Sequence, residues 1–316
     1  MGIHHVTAIA SDPQRNLDFY TGTLGLRLVK LTVNFDDPGS YHLYYGDEIG
    51  RPGSLLTFFA WPGGQRGRQG TGQASVVSFA IPPASLGFWV ERLLAQGVKY
   101  EGPTRRFDEQ VLALTDPDGL LLELVATPRV LETPPWAEGP IPPEHTIRGL
   151  QGVTLWEDGE TGSADFLVRV MGFESGTEEG AVLRFQSGAS GIGTVVNLRR
   201  AAGFWRGAVG VGTVHHVAFR AASDEAQLQK RAEIEAQGRG ITPVIDRQYF
   251  HSVYFREPGG ILFEIATDAP GFLIDEPRGE LGTHLKLPPM YEPSREKIER
   301  GLPPVRLPQA AMGRGR

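Results

Sequence analysis

The chain has 316 residues, no cysteine, and 31 basic against 37 acidic residues, for a formal net charge of −6. That length suggests about two domains of about 150 residues each, and the lack of cysteine excludes disulfides, thiolate ligands and a cysteine nucleophile, so any metal must be held by His, Asp, Glu or backbone oxygens. The basic residues are scattered, which argues against a nucleic-acid footprint. No apolar run approaches the roughly 18 residues needed to span a membrane.

In chain order, four segments each open with a short β-like run followed by a helical one. The first is IHHVTAIA (residues 3–10), then DPQRNLDFYTGTLG, where Asp12 can cap, Pro13 suits the first helical position, and Gly22 or Gly25 ends the helix. The second is SVVSFAIP (75–82), then ASLGFWVERLLAQG, closing in DPDGLLLELVATP (116–128). A proline-rich stretch, TPPWAEGPIPPEH, reads as a linker within 133–146. The third opening is LQGVTLWE (150–157) before GSADFLVRVMG. The fourth is VHHVAFRA (214–221) before DEAQLQKRAEIEAQG, closing in EPGGILFEIATDAP (257–270).

Each segment therefore reads as strand, helix and about three strands. The expected class is α+β, with four βαβββ modules in two domains, 1–132 and 147–272. Residues 273–316 form a strap or tail with one short helix around 294–300. The N-terminus, MGIHHVTAIASDP, lacks the basic start and long apolar stretch of a secretory signal, so cytoplasm is the expected location.

Alternate side chains of a strand share a face, which separates the two histidines of each HHV triplet. His5 and Thr7 oppose Val6, Ala8 and Ala10. His216 lies with Ala218 and Arg220, whereas His215 lies with Val217 and Phe219. Glu264 lies with Leu262 and Ala266, opposite Ile261, Phe263 and Ile265, and Tyr254 faces away from Val253 and Phe255. A lone strand histidine is usually packed, but HHV at two equivalent repeat positions points to metal ligation. The expected ligands are His5, His216 and Glu264. Two imidazoles and one carboxylate match the facial triad of non-haem Fe(II) oxygenases; Mn(II) accepts the same donors, and a fourth protein ligand would indicate a Zn or Ni site. Glu123 occupies the repeat position of Glu264, but Val76 and Gly152 stand where its histidine partners would be, so it reads as structural.

The combination of IHHVTAI, HHVAF, DRQYFHSVYFREPGGILFEIATD and LKLPPMYEPSREKIERGLPP resembles the ring-cleaving dioxygenases of para-hydroquinones, within the vicinal-oxygen-chelate (glyoxalase/bleomycin resistance/extradiol dioxygenase) superfamily. The likeness runs over almost the whole chain. It implies two vicinal-oxygen-chelate domains with cup-shaped half-barrels, the first module pairing with the fourth and the second with the third. It also implies an Fe(II)-dependent extradiol-type cleavage of substituted hydroquinones with O2, with Fe(II) on His5, His216 and Glu264. The positions matching the family's surrounding residues are His4, Thr7, His215, Arg247 and Tyr254. Tyr254 or His215 is then a candidate for moving the phenol proton, and Arg247 for stabilising developing negative charge. The expected partners are a small aromatic substrate and O2, with a homo-oligomer left open.

His251 departs from the family pattern, near the expected pocket, and Phe58, Phe204, Trp205, Tyr249 and Phe250 are candidate pocket residues. Two alternatives are a glyoxalase-like isomerase or lyase on Zn, Ni or Mn whose four-ligand site is completed by Glu123 or another carboxylate, and a non-catalytic binder of small molecules.

Overall fold

The computed structural model describes residues 1–131, 133–159, 162–188 and 191–308. The first module holds β1 (Ile3–Ala10), α1 (Pro13–Leu17), β2 (Arg27–Asn34), β3 (Asp37–Gly46) and β4 (Leu55–Ala60). The second holds β5 (Gln73–Ile81), α2 (Leu86–Ala95), β6 (Tyr100–Arg106), β7 (Glu109–Thr115) and β8 (Leu121–Ala126). The third holds β9 (Gly149–Glu157), α3 (Ser163–Arg169), β10 (Glu174–Glu179), β11 (Val182–Gln186) and β12 (Val195–Arg200). The fourth holds β13 (Val214–Ala221), α4 (Asp224–Ala236), β14 (Ile245–Asp246), β15 (Phe250–Arg256) and β16 (Leu262–Pro270), and a last helix, α5 (Arg295–Gly301), follows.

In every module the first strand pairs in parallel with the fourth, and each pair is reached through a crossover containing the module's helix. Two eight-stranded curled half-barrels result, ordered β14-β15-β16-β13-β1-β4-β3-β2 and β10-β11-β12-β9-β5-β8-β7-β6. The first joins modules one and four through antiparallel β1 and β13, and the second joins two and three through β5 and β9. Each sheet therefore takes one module from each half of the chain.

The apolar strand faces read from alternation are core: Val6, Ala8, Val217, Phe219, Phe263 and Ile265 are all fully buried. The first helix is shorter than its sequence signals suggest. Asp12 caps it, accepting from the Arg15 N–H at 2.8 Å, but α-helical winding stops at Leu17 and continues as a π-turn over Asp18–Thr23. Gly25, not Gly22, ends the turn: its φ is +68°, and a Cβ there would fall 2.2 Å from Ile141 Cγ1. Ile141 belongs to the proline-rich connection, which packs on the body and also receives the Trp89 indole N–H at the His145 carbonyl.

The C-terminal segment docks along the first sheet. Leu285 bridges to Leu31, Tyr291 donates its hydroxyl to the Phe35 carbonyl at 2.8 Å, and fully buried Lys30 pairs with Asp275 and Glu276. Among the described residues no helix is long and apolar enough to cross a membrane.

Candidate metal centre

At the seam between β1 and β13 the ladder is irregular twice, each time at a histidine pair. His4 is the extra residue between the pairings Ile3–Phe219 and His5–Ala218, and His215 is the extra residue between Thr7–His216 and Ala8–Val214. A bulge breaks the alternation and re-aims side chains. The Nδ1 atoms of neighbouring residues consequently meet, at 2.9 Å for His4 and His5 and 2.8 Å for His215 and His216. This corrects the alternation reading of His215: it does not pack with Val217 and Phe219 but is half-buried, its ring edge-on to Phe59 at 5.5 Å.

With Nδ1 engaged, each inner histidine turns Nε2 toward the same point. His5 Nε2 and His216 Nε2 lie 3.3 Å apart, and Glu264 Oε2 lies 3.4 Å from the first and 2.9 Å from the second. Glu264 arrives on β16, where it stands opposite Ala218 in the parallel ladder. Donor atoms bound about 2.1 Å from one ion at right angles are about 3 Å apart, so these three atoms fit one face of a single coordination shell. Among the described residues, this is the one group of three or more His, Asp or Glu side chains whose donor atoms converge in this way.

The electrostatics favour ligation. Burial opposes ionisation of Glu264, yet the two imidazoles hold it well below the usual carboxylate range, as an anion. Its Oε2 is buried without a hydrogen bond, while Oε1 is taken by the Ser252 hydroxyl at 2.5 Å. Burial pushes His216 down, against the pull of Glu264, so it is neutral with a free lone pair. The outer histidines are neutral too: burial, then His5, holds His4 well below its usual value, and burial, then His216, lowers His215 to about 3. Each can then accept at Nδ1 the proton that fixes the inner ring's tautomer, an orienting role common behind metal-bound histidines.

Around this cluster, the Thr7 hydroxyl lies 2.8 Å from that of Thr57 on β4, which lies 2.9 Å from His42 Nε2, whose Nδ1 meets the Tyr44 hydroxyl at 2.9 Å. His42, Tyr44 and Thr57 were not singled out from the sequence. The signal was the alternation in SYHLYY, which puts His42 with Tyr44 and apart from Leu43. Tyr254 stands opposite Glu264 and meets the His216 ring edge-on at 5.7 Å. Burial and Glu264 push its hydroxyl well above the usual phenol range, so it is protonated at neutral pH. Arg247 donates to that hydroxyl from Nε at 3.3 Å.

Other sequence candidates fall elsewhere. Glu123 lies in the second sheet, its oxygens held by Arg106 at 2.8 and 2.6 Å and by Ser78 at 2.7 Å, so it is not within the convergent group. His251 points to the outer side, 2.6 Å from Asp224 at the start of α4, and does not line the cup. Phe58 is core against Tyr20 and Tyr45, and its neighbour Phe59 is the residue beside His42 and His215. Phe250 packs on His4 and His5; Tyr249 stacks on Phe272, and Phe204 and Trp205 are exposed.

Known proteins resemble this chain over most of its length. Residues 2–124 match the profile of the Glyoxalase/Bleomycin resistance protein/Dioxygenase superfamily. A Bacillus subtilis (strain 168) protein, MhqO, named provisionally as a ring-cleaving dioxygenase, is 49% identical over 97% of both chains. The Sphingobium indicum protein named chlorohydroquinone/hydroquinone 1,2-dioxygenase is 33% identical over 95% of both. A crystal structure of a Bacillus subtilis protein, titled as a provisional dioxygenase, superposes with a TM-score of 0.93 at 48% identity over 98% of both chains. The paired HHV strands, their carboxylate and the end-to-end likeness thus lead to one conclusion: the chain belongs to the glyoxalase/bleomycin resistance protein/dioxygenase superfamily, in its ring-cleaving dioxygenase branch.

Proposed function

We propose that the protein is a non-haem Fe(II) dioxygenase that opens the aromatic ring of hydroquinones, in the extradiol manner, with O2. The observation that carries this reading is the convergence of His5, His216 and Glu264 from three strands. Two imidazoles and one carboxylate on one side of an ion leave the opposite positions free, the donor set of Fe(II) oxygenases, and Mn(II) fits the same set. The likeness to a protein named as acting on chlorohydroquinone and hydroquinone supports the substrate class. Bound there, Fe(II) would supply adjacent open positions for a ring hydroxyl and O2 and the electronic link between them.

The protein's own groups supply orientation and proton handling. His4 and His215 hold the inner histidines in the Nε2-facing tautomer, and Ser252 leaves one oxygen of Glu264 free to ligate. Tyr254 remains protonated and can donate a hydrogen bond to oxygen in the cup, with Arg247 donating to its hydroxyl and so polarising it. His215, with a pKa near 3, serves better as an acceptor that orients His216 than as a carrier of a proton at neutral pH. The linked groups Thr7, Thr57, His42 and Tyr44 offer a buried path along which a proton can shift.

The isomerase alternative drew on Glu123 as a fourth ligand, and that carboxylate is committed to Arg106 in the other sheet. The test is anaerobic loading with Fe(II), then oxygen uptake and product analysis with hydroquinone and its methyl and chloro derivatives. No uptake and no ring-opened product with any of them would overturn the proposal.

A further inference from the structure

The rims of the first cup are joined by one ion pair. The β2–β3 hairpin turns at Phe35 and Asp36, and the opposite rim turns between β14 and β15 at Arg247. Arg247 Nη1 and Nη2 reach the two carboxylate oxygens of Asp36 at 3.2 and 3.1 Å, in the two-pronged geometry that matches a guanidinium to a carboxylate. The guanidinium also lies over the rings of Phe35, at 6.0 Å, and Tyr254, at 5.5 Å. The hairpin tip is itself anchored: Asn34 accepts from the Asp36 N–H at 3.0 Å, and Tyr291 of the C-terminal segment holds the Phe35 carbonyl at 2.8 Å. Asp36 is otherwise open to solvent, with 73% of its side chain exposed, so its fixed partner is Arg247.

We propose that Asp36 determines the charge class of substrate admitted to this cup, by neutralising Arg247 and holding it against Tyr254. Resting on the hydroquinone reading above, the proposal adds that uncharged rings are accepted and rings bearing a carboxylate are rejected. Arg247 is the cation that touches Tyr254, and an incoming carboxylate would have to displace Asp36 to use it. Lys30, on the same side of the sheet, is saturated by Asp275 and Glu276, and Arg220 by Asp268. Arg256 lies at the exposed edge, where its Nη1 donates to the Gly260 carbonyl. A carboxylate brought beside Tyr254 would therefore lose its water without gaining an unpaired side-chain cation, whereas a neutral ring loses much less. An aspartate that faces solvent and makes two hydrogen bonds to one arginine can be changed with little risk to the fold.

The experiment compares Fe(II)-loaded wild-type protein with the Asp36→Asn and Asp36→Glu variants on hydroquinone and on 2,5-dihydroxybenzoate, its carboxylated counterpart. In Asp36→Asn the ratio of kcat/KM for the carboxylated ring to that for hydroquinone should rise at least tenfold, chiefly through a lower KM for the carboxylate. Asp36→Glu, which keeps the charge, should stay close to the wild-type ratio. A ratio in Asp36→Asn within twofold of wild type, including an equal loss on both rings, overturns the role of Asp36. Absence of hydroquinone turnover by the wild-type protein overturns the dioxygenase reading instead, so the two failures are distinct.

Discussion

His215 Nδ1 lies 2.8 Å from His216 Nδ1, and across the seam His4 repeats the relationship with His5 at 2.9 Å. Both contacts exist because a bulge puts one extra residue beside each inner histidine. Removing such an orienting partner behind a metal-bound histidine typically weakens metal affinity by 10 to 100-fold. His215→Ala and His4→Ala should each weaken Fe(II) affinity by about that factor while the far-ultraviolet circular dichroism is unchanged. Unaltered affinity in both variants, measured by competition with a calibrated chelator, would remove the orienting role.

Ligation by His5, His216 and Glu264 also predicts stabilisation by metal. A ligand that binds only the folded chain, present at 100 times its Kd, adds about 2.7 kcal/mol. Fe(II) or Mn(II) should therefore raise the Tm of the wild-type protein by several degrees. Glu264→Ala and His216→Ala should lose that response together with turnover. A metal-dependent Tm rise of wild-type size in Glu264→Ala would place the ion elsewhere.

Lys30 is fully buried and faces Asp275 and Glu276 of the C-terminal segment. Taking one member from a buried charge cluster leaves the others uncompensated, at a cost of roughly 3–5 kcal/mol. Lys30→Met keeps the length of the side chain and should destabilise the protein by about that amount. Limited proteolysis should then cut first after residue 272, and adding Glu276→Gln should recover part of the loss. If denaturant midpoints of wild type and Lys30→Met coincide, the segment is not held by this cluster.

Asp116, at the β7–β8 turn, accepts from the N–H groups of Asp118 and Leu120 at 2.8 Å and from the Tyr20 hydroxyl at 3.1 Å. Burial, reinforced by the charge of Asp118, outweighs these bonds and raises it from 3.8 to about 6. A raised folded-state pKa favours the protonated form. Its contribution is therefore complete below about pH 4, is lost as pH rises toward 6, and is flat above. At 1.36 kcal/mol per unit the change is about 2–3 kcal/mol. Relative to Asp116→Asn, wild-type stability should fall by that amount between pH 4 and pH 6.5 in urea titrations. A constant difference across that range would mean that Asp116 ionises normally.

The repeat and the convergence of His5, His216 and Glu264 were legible because both rest on local signals: HHV twice, a mid-strand glutamate after a Pro/Gly turn, and period-two alternation. The bulges were not legible, since an extra residue in a ladder depends on the partner strand, and strict alternation therefore misplaced His215. His42 escaped for a related reason. It stands in no repeated motif, and its meeting with Thr57 and Tyr44 depends on register across β3 and β4. Asp36 and Arg247 are 211 residues apart and belong to opposite sheet edges, so only the curl of the half-barrel brings them together. Phe58 and Phe59 differ by a single step of the pleat, and the sequence reading chose the core member.

The pairing of the first module with the fourth has a consequence for synthesis. His5 is made 211 residues before His216, and β1 has no neighbour on its β13 side until the fourth module emerges. The three side chains therefore cannot meet until the fourth module has been made, and the second and third modules are complete before then. Any ion these three side chains hold is thus captured only after the chain has been made through β16.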